Sequence, residues 1–110
     1  MENSKQSKDR QFATIMFDID FFKQVNDNYG HAGGDAVLIS FAQLLQTEIS
    51  SPNIVGRIGG EEFLAILYLD PDQAKEFCTK LIKKINTNVV NFEGADIKVS
   101  SSGGVAFSTE

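Results

Sequence analysis

The sequence predicts an α+β domain with a ferredoxin-like core, a central sheet containing antiparallel strands with helices packed on it. Three observations carry this expectation. Short apolar runs alternate with stretches of helical periodicity, and a Gly-Gly turn joins two of the runs into a hairpin near the middle of the chain. The resulting order of strand, helix, helix, strand, strand, helix, strand then sets one crossover on each side of that hairpin.

Each element has its own signal. Residues 12–17 form an apolar run ending at Asp18, suited to a strand buried on both faces. Asp20 is placed to cap a short helix running to about Asn28, which Tyr29-Gly30 would end. From 34 to 49, Leu38, Phe41, Leu45 and Ile49 recur at three and four, the spacing of one buried helix stripe. Ser50-Ser51-Pro52-Asn53 breaks that helix, a strand at 54–58 leads into the Gly59-Gly60 turn, and 62–69 is the returning strand. Asp70-Pro71-Asp72 opens a helix whose core side carries Ala74, Phe77, Cys78, Leu81, Ile82 and Ile85, with Lys75, Lys80, Lys83 and Lys84 largely on its solvated side. Residues 88–96 read as a small hairpin or loop. Ile97, Val99, Ser101, Gly103, Val105 and Phe107 alternate as one face of a last strand.

Composition narrows the function classes. The 110 residues suit one domain, with a flexible polar segment at 1–11 ahead of the core at 12–110. At 42% hydrophobic and 23% charged residues the chain is an ordinary globular one, neither disordered nor fibrous. A net charge of -5 leaves no basic field for DNA or RNA, so no nucleic-acid partner is expected and any phosphate chemistry must be local. The single cysteine, Cys78, excludes an intrachain disulfide and a cysteine zinc site, and reads as a core thiol in a reducing compartment. With no signal peptide and no apolar run of the roughly 20 residues that span a bilayer, a cytoplasmic location without membrane contact by this domain is expected. A longer parent protein could still be membrane-anchored.

The candidate chemistry is carboxylate chemistry. Asp18 ends an apolar strand, where an ionised group needs a cation, a donor or water. Glu61 and Glu62 follow the Gly-Gly turn, and a hairpin strand lying beside the first strand would bring them toward Asp18. Taken alone, a glutamate pair on a hairpin reads equally as solvated charge, and Asp18 and Asp20 as helix caps. Together they form a hard oxygen set of the kind magnesium takes, and glycines beside them would let a ligand approach the backbone closely.

Phe17-Asp18-Ile19-Asp20-Phe21-Phe22-Lys23, then Asn26-Asp27, Tyr29-Gly30-His31, Gly34-Asp35 and Arg57-Ile58-Gly59-Gly60-Glu61-Glu62-Phe63 resemble, in order and spacing, the GGDEF family of diguanylate cyclases, in its GGEEF form. The resemblance covers nearly all of 12–107. It implies a palm-like fold similar to nucleotide cyclases and polymerases, and a bacterial second-messenger enzyme. That enzyme is a nucleotidyltransferase condensing two GTP into cyclic di-GMP with release of pyrophosphate, as a homodimer in which each copy presents one GTP. By position it implies magnesium, with manganese as a substitute, held by Asp18, the carbonyl of Ile19, Glu61 and Glu62. Glu61 is also the implied proton acceptor and Lys23 the lysine that stabilises the transition state. Asn26 and Asp35 fall where the family reads guanine, Gly59 and Gly60 where substrate approaches, and Phe22 in the pocket wall. His31 either touches the nucleotide or orders the loop at 30–34 through a ring hydrogen bond.

Two departures from the family pattern follow. The family's inhibitory product site, Arg-x-x-Asp upstream of the signature, is replaced by Ser50-Ser51-Pro52-Asn53, so feedback inhibition by that route is not expected. The family's usual N-terminal segment and final helix, with their phosphate-binding cations, are also missing from this sequence. The truncated chain is therefore expected to be weakly active or inactive, with an open apolar sheet face that favours self-association. A catalytically inactive, GTP-binding regulatory module is the alternative reading. A sensory or receiver domain is the expected neighbour in the parent protein.

Overall fold

The structure is a computed structural model and describes residues 11–109. The segment expected to be flexible lies outside these residues, apart from Gln11, which opens the first strand. In chain order the elements are β1 (Gln11–Ile19), α1 (Phe22–Glu48), β2 (Ile54–Gly59), β3 (Glu62–Leu67), α2 (Pro71–Thr87), β4 (Val89–Phe92), β5 (Ala95–Lys98) and β6 (Ser101–Thr109).

Four strands form one sheet in the order β2-β3-β1-β6, and every neighbouring pair is antiparallel. The chain thus crosses from β1 over β3 to β2, and from β3 over β1 to β6, which is the ferredoxin-like arrangement the sequence predicts. β1 lies in the middle, so its residues are fixed from both sides.

Side-chain alternation sorts β1 and β3 into two faces. Ala13, Ile15, Phe17 and Ile19 of β1 and Phe63, Ala65 and Leu67 of β3 are buried against Val37, Phe41 and Leu45 of α1 and Ala74, Cys78, Leu81 and Ile85 of α2. Phe41 and Phe63 meet at a centroid distance of 5.0 Å and a tilt of 48°. Burial pushes the Cys78 thiol pKa up, as expected of a core cysteine. On the other face Met16 and Asp18 are exposed. The expectation of a strand buried on both sides therefore fails for β1, because among the described residues helices cover only one face of the sheet.

Other expectations shift for identifiable reasons. α1 runs through the expected loop at 30–34 and breaks only at Gly30, whose φ of 75° and ψ of 177° lie in a region open essentially to glycine alone. The sequence located this break at Tyr29-Gly30 but placed the second helical stretch too late, because His31 and Ala32 carry no periodic apolar signal. α2 starts as expected: the Asp70 carboxylate accepts from the Gln73 amide at 2.8 Å, the Gln73 side chain accepts from the Asp70 amide, and Pro71 follows.

The last strand is divided. β4 and β5 form a separate hairpin through Glu93 and Gly94, both with positive φ, as a tight type I′ connection requires. Ile97 belongs to β5, and β6 starts only at Ser101. Alternation continues across the break, so periodicity alone reads the two strands as one. In β6, Gly103→Ala is expected to raise stability by about 0.5–1 kcal/mol in urea titration. An added Cβ would meet Ile82 at 3.5 Å and Phe17 at 3.8 Å, ordinary contact distances, with no positive φ to strain. Among the described residues no helix is long and apolar enough to cross a membrane.

Candidate active site

The ladder between β1 and β3 sets Asp18 directly opposite Glu62. One step further, the Ile19 amide donates to the Glu61 carbonyl at 3.3 Å, tying the hairpin tip to the end of β1. Asp18 and Glu62 are exposed, and the side chains of Asp18, Glu61 and Glu62 hold no hydrogen bond or ion pair with any described residue. Like charges opposite one another across a ladder repel, so this pair is costly unless a cation or water intervenes.

The three carboxylates and the Ile19 carbonyl are hard oxygens at one end of the sheet, and they fit magnesium, which takes few protein ligands and leaves places for water and phosphate. They do not form a closed cage. No group of three or more Asp, Glu, His or Cys among the described residues is assembled as a ready metal cluster, because Glu61 sits in the turn rather than in the ladder that aligns Asp18 with Glu62.

The turn itself is one residue later than expected, at Gly60-Glu61, with Gly59 paired to Glu62 and an irregularity between Arg57 and Gly59. Neither Gly59 nor Gly60 has positive φ, so the backbone does not demand glycine at either position. A Cβ added at Gly60 would meet no described atom within 4 Å. The glycines leave open space beside the carboxylates.

Next to this end of the sheet, α1 begins without a side-chain cap and without acid in its first turn, which leaves backbone donors and the positive dipole end free for an anion. Asp20 does not cap it, contrary to expectation. Phe21 holds the N-cap position with φ 58°, and Asp20 turns instead to β6. Lys23 is exposed on this first turn and makes no ion pair among the described residues.

One turn on, Asn26 is half-buried and packs against Gly34 so closely that a Cβ on Gly34 would collide with its amide oxygen and lie 3.3 Å from Phe22. The break at Gly30 lets the two parts of α1 approach in this way, bringing Phe22, Asn26 and Gly34 together with Asp35 at the next position, exposed. His31 is also exposed in the helix, and its ring makes no hydrogen bond among the described residues, so it does not order a loop.

Compared with known protein families, the whole chain, residues 1–110, matches the one described as "Diguanylate cyclase, GGDEF domain". The chain belongs to the GGDEF family. It is 34% identical over 105 residues to Diguanylate cyclase A of Treponema denticola, covering 94% of this chain and 28% of that protein. With an uncharacterized signaling protein of Caulobacter vibrioides it shares 37% identity over 97 residues, 86% of this chain and 12% of the relative. The chain therefore spans less than a third of either relative. Among solved structures, the Pseudomonas aeruginosa diguanylate cyclase SiaD, in complex with its activator SiaC, superposes with a TM-score of 0.87 at 33% identity, over 97% of this chain and 42% of SiaD. The active GGEEF domain of a Vibrio cholerae diguanylate cyclase gives 0.80 at 31% identity, over 92% of this chain and 64% of that one. The cyclase-like palm fold is thus shared with these GGDEF proteins.

Several residues that shape this GGDEF site were not singled out from the sequence. Arg57 donates through Nε to the Gly60 carbonyl at 2.8 Å and braces the hairpin tip. The Asn53 side chain accepts from the Tyr68 amide at 2.8 Å, so the stretch that replaces Arg-x-x-Asp serves to join β2 to the end of β3. Ser100 and Ser102 contact Asp20 from the far end of the chain. Only Arg57 had a signal, its place in the signature run.

Proposed function

We propose that this domain is a diguanylate cyclase that condenses two GTP into cyclic di-GMP and two pyrophosphates. The observation that carries this reading is the Asp18–Glu62 pair, whose side chains have no partner among the described residues, joined to Glu61 by the Ile19 amide, at the end of β1 beside a helix start without a side-chain cap. Asp18, Glu61, Glu62 and the Ile19 carbonyl would hold magnesium, or manganese in its place. When bound, the metal supplies charge neutralisation at the phosphates and acidifies the attacking hydroxyl.

The residues of this chain then have separate tasks. Backbone donors at the start of α1 and the Lys23 ammonium face the triphosphate and offset charge on its oxygens. Asn26 and Asp35 read the guanine edge: a carboxylate accepts from the N1 hydrogen and the 2-amino group, both absent from adenine. Phe22 walls the base, and Gly59 and Gly60 keep space for the nucleotide. The 3′-oxygen of one GTP attacks the α-phosphorus of the other, Glu61 takes the hydroxyl proton, and the bond to the departing pyrophosphate breaks. A second such step with the roles exchanged closes the ring. Each copy presents one GTP, so catalysis calls for a homodimer, and a sensory or receiver domain in a longer parent protein would control its assembly. The domain extends over 12–110 in this reading. Absence of Arg-x-x-Asp leaves it free of product inhibition through that site.

Incubation with GTP and magnesium, with cyclic di-GMP and pyrophosphate quantified by chromatography, tests the reading. Product from the wild type, even at a low rate, that falls by about 10²-fold or more in Glu61→Gln is the result that supports it. GTP binding without product would identify a GTP-binding regulatory module, and no binding would refute the nucleotide site altogether.

Gly34→Ala separates base recognition from stability. The new methyl displaces the Asn26 amide, the free end of a side chain, while alanine in a helix is favoured over glycine by about 1 kcal/mol. Melting should be unchanged or raised, and GTP affinity in calorimetry should fall about tenfold. Unchanged affinity would remove Asn26 from the guanine contact.

A further inference from the structure

We propose that Asp20, Ser100 and Ser102 are positioning residues of this site, a polar clasp that sets the β1–α1 loop between its ligating and phosphate-facing groups. What the loop binds rests on the function proposed above. That the clasp orders the loop rests on geometry alone.

The Asp20 carboxylate accepts from the Ser100 hydroxyl at 2.8 Å and from the Ser102 hydroxyl at 2.6 Å, one on each oxygen, and the Asp20 amide donates to the Ser100 carbonyl at 2.9 Å. Hydrogen bonds to an ionised acceptor are about twice as strong as neutral ones. Next to the clasp, the buried Ser101 donates its hydroxyl to the Asp18 carbonyl at 3.1 Å. Asp20 therefore differs from Asp18: its two oxygens already have protein donors, whereas the Asp18 side chain has none among the described residues.

Packing does not hold this loop. Phe21 is 72% exposed and lines an open cavity of about 410 Å³, together with Gln24, Asn86, Lys98 and Ser100. Phe21 also has φ 58°, the left-handed region that costs a bulky residue free energy and persists only where the surroundings impose it. The clasp supplies that constraint on one side of Phe21, and on the other the Gln24 amide donates to the Phe21 carbonyl at 3.0 Å. Phe22 and Lys23 follow Phe21 immediately, so release of Asp20 would loosen the start of α1 proposed to face the triphosphate, and the Ile19 carbonyl, just before the clasp, would lose one of its restraints.

The test is Ser100→Ala/Ser102→Ala in the full chain, with amide exchange of residues 20–25 followed by mass spectrometry or NMR and Mn²⁺ affinity by water-proton relaxation. Exchange in that segment should accelerate and Mn²⁺ affinity should fall, each about tenfold, and Ser100→Thr/Ser102→Thr should restore both. Unchanged exchange would overturn the clasp. Faster exchange with unaltered Mn²⁺ affinity would overturn its role in the site. Should the double variant not fold, Ser102→Ala alone, at an exposed position, is read by the same criteria. Wild type that binds no Mn²⁺ would count against the proposed function instead, and the exchange data would still decide whether Asp20 orders the loop.

Discussion

Asp18→Asn is expected to reduce cyclic di-GMP formation by at least about 10²-fold while leaving the melting midpoint unchanged or slightly raised. The reason is its place on the sheet. Asp18 is exposed on the face without helices, holds no protein donor among the described residues, and stands opposite Glu62. Neutralising it removes a repulsion worth a few tenths of a kcal/mol to about 1 kcal/mol, so the fold should lose nothing. The site loses a metal ligand. Product assays and differential scanning calorimetry on one preparation check both halves, and a large fall in melting point would show that Asp18 is structural.

Phe17→Ala, one residue earlier, should do the reverse. Phe17 is fully buried at 0% exposure, opposite Phe63 on one neighbouring strand and Gly103 on the other. Its truncation should cost about 3–5 kcal/mol through lost burial and the cavity left behind. For a domain whose total stability is of order 5–15 kcal/mol, that is enough to populate the unfolded state. Urea titration reads the difference, and a cost under about 1 kcal/mol would mean that the core is not organised around β1. The contrast between these neighbours follows from the period of two in a strand, which turns one side chain to the helices and the next to the open face.

That open face bears on assembly. Met16, Ile54 and Tyr68 are exposed, and Phe12 meets the Tyr68 ring at a centroid distance of 6.3 Å. Among the described residues no helix packs on this side of the sheet, which also carries Asp18 and Glu62.

Much of the candidate site is legible because its parts are local. The signature run, the Asp18-Ile19 pair, Lys23, and the Asn26 and Gly34-Asp35 positions were all read from spacing and resemblance. Less legible were the features that depend on how segments meet. Sequence reasoning places the turn at Gly60-Glu61 one residue early because two consecutive glycines look like the turn whichever pair forms it. Asp20 reads as a helix cap because an aspartate before an apolar periodic stretch is usually one, and nothing near it in the sequence marks Ser100 and Ser102 as competing donors. Sequence reasoning places His31 in a loop because Tyr29-Gly30 ends one helical stretch and the next apolar stripe begins after Gly34, whereas the helix breaks only at Gly30.

By itself the sequence determined the alternation of the main strands and helices through the second helix, the core-facing stripes of both helices and the family to which the chain belongs, since periodicity and motif spacing are properties of short stretches. Only the tertiary structure decided that Asp18 faces Glu62, that Asp20 bonds to serines 80 and 82 positions away along the chain, and that one face of the sheet lies open among the described residues. These depend on strand register and on which helices cover which face. Register is set by pairing between distant segments, and the same alternating pattern is compatible with several registers until the sheet is assembled.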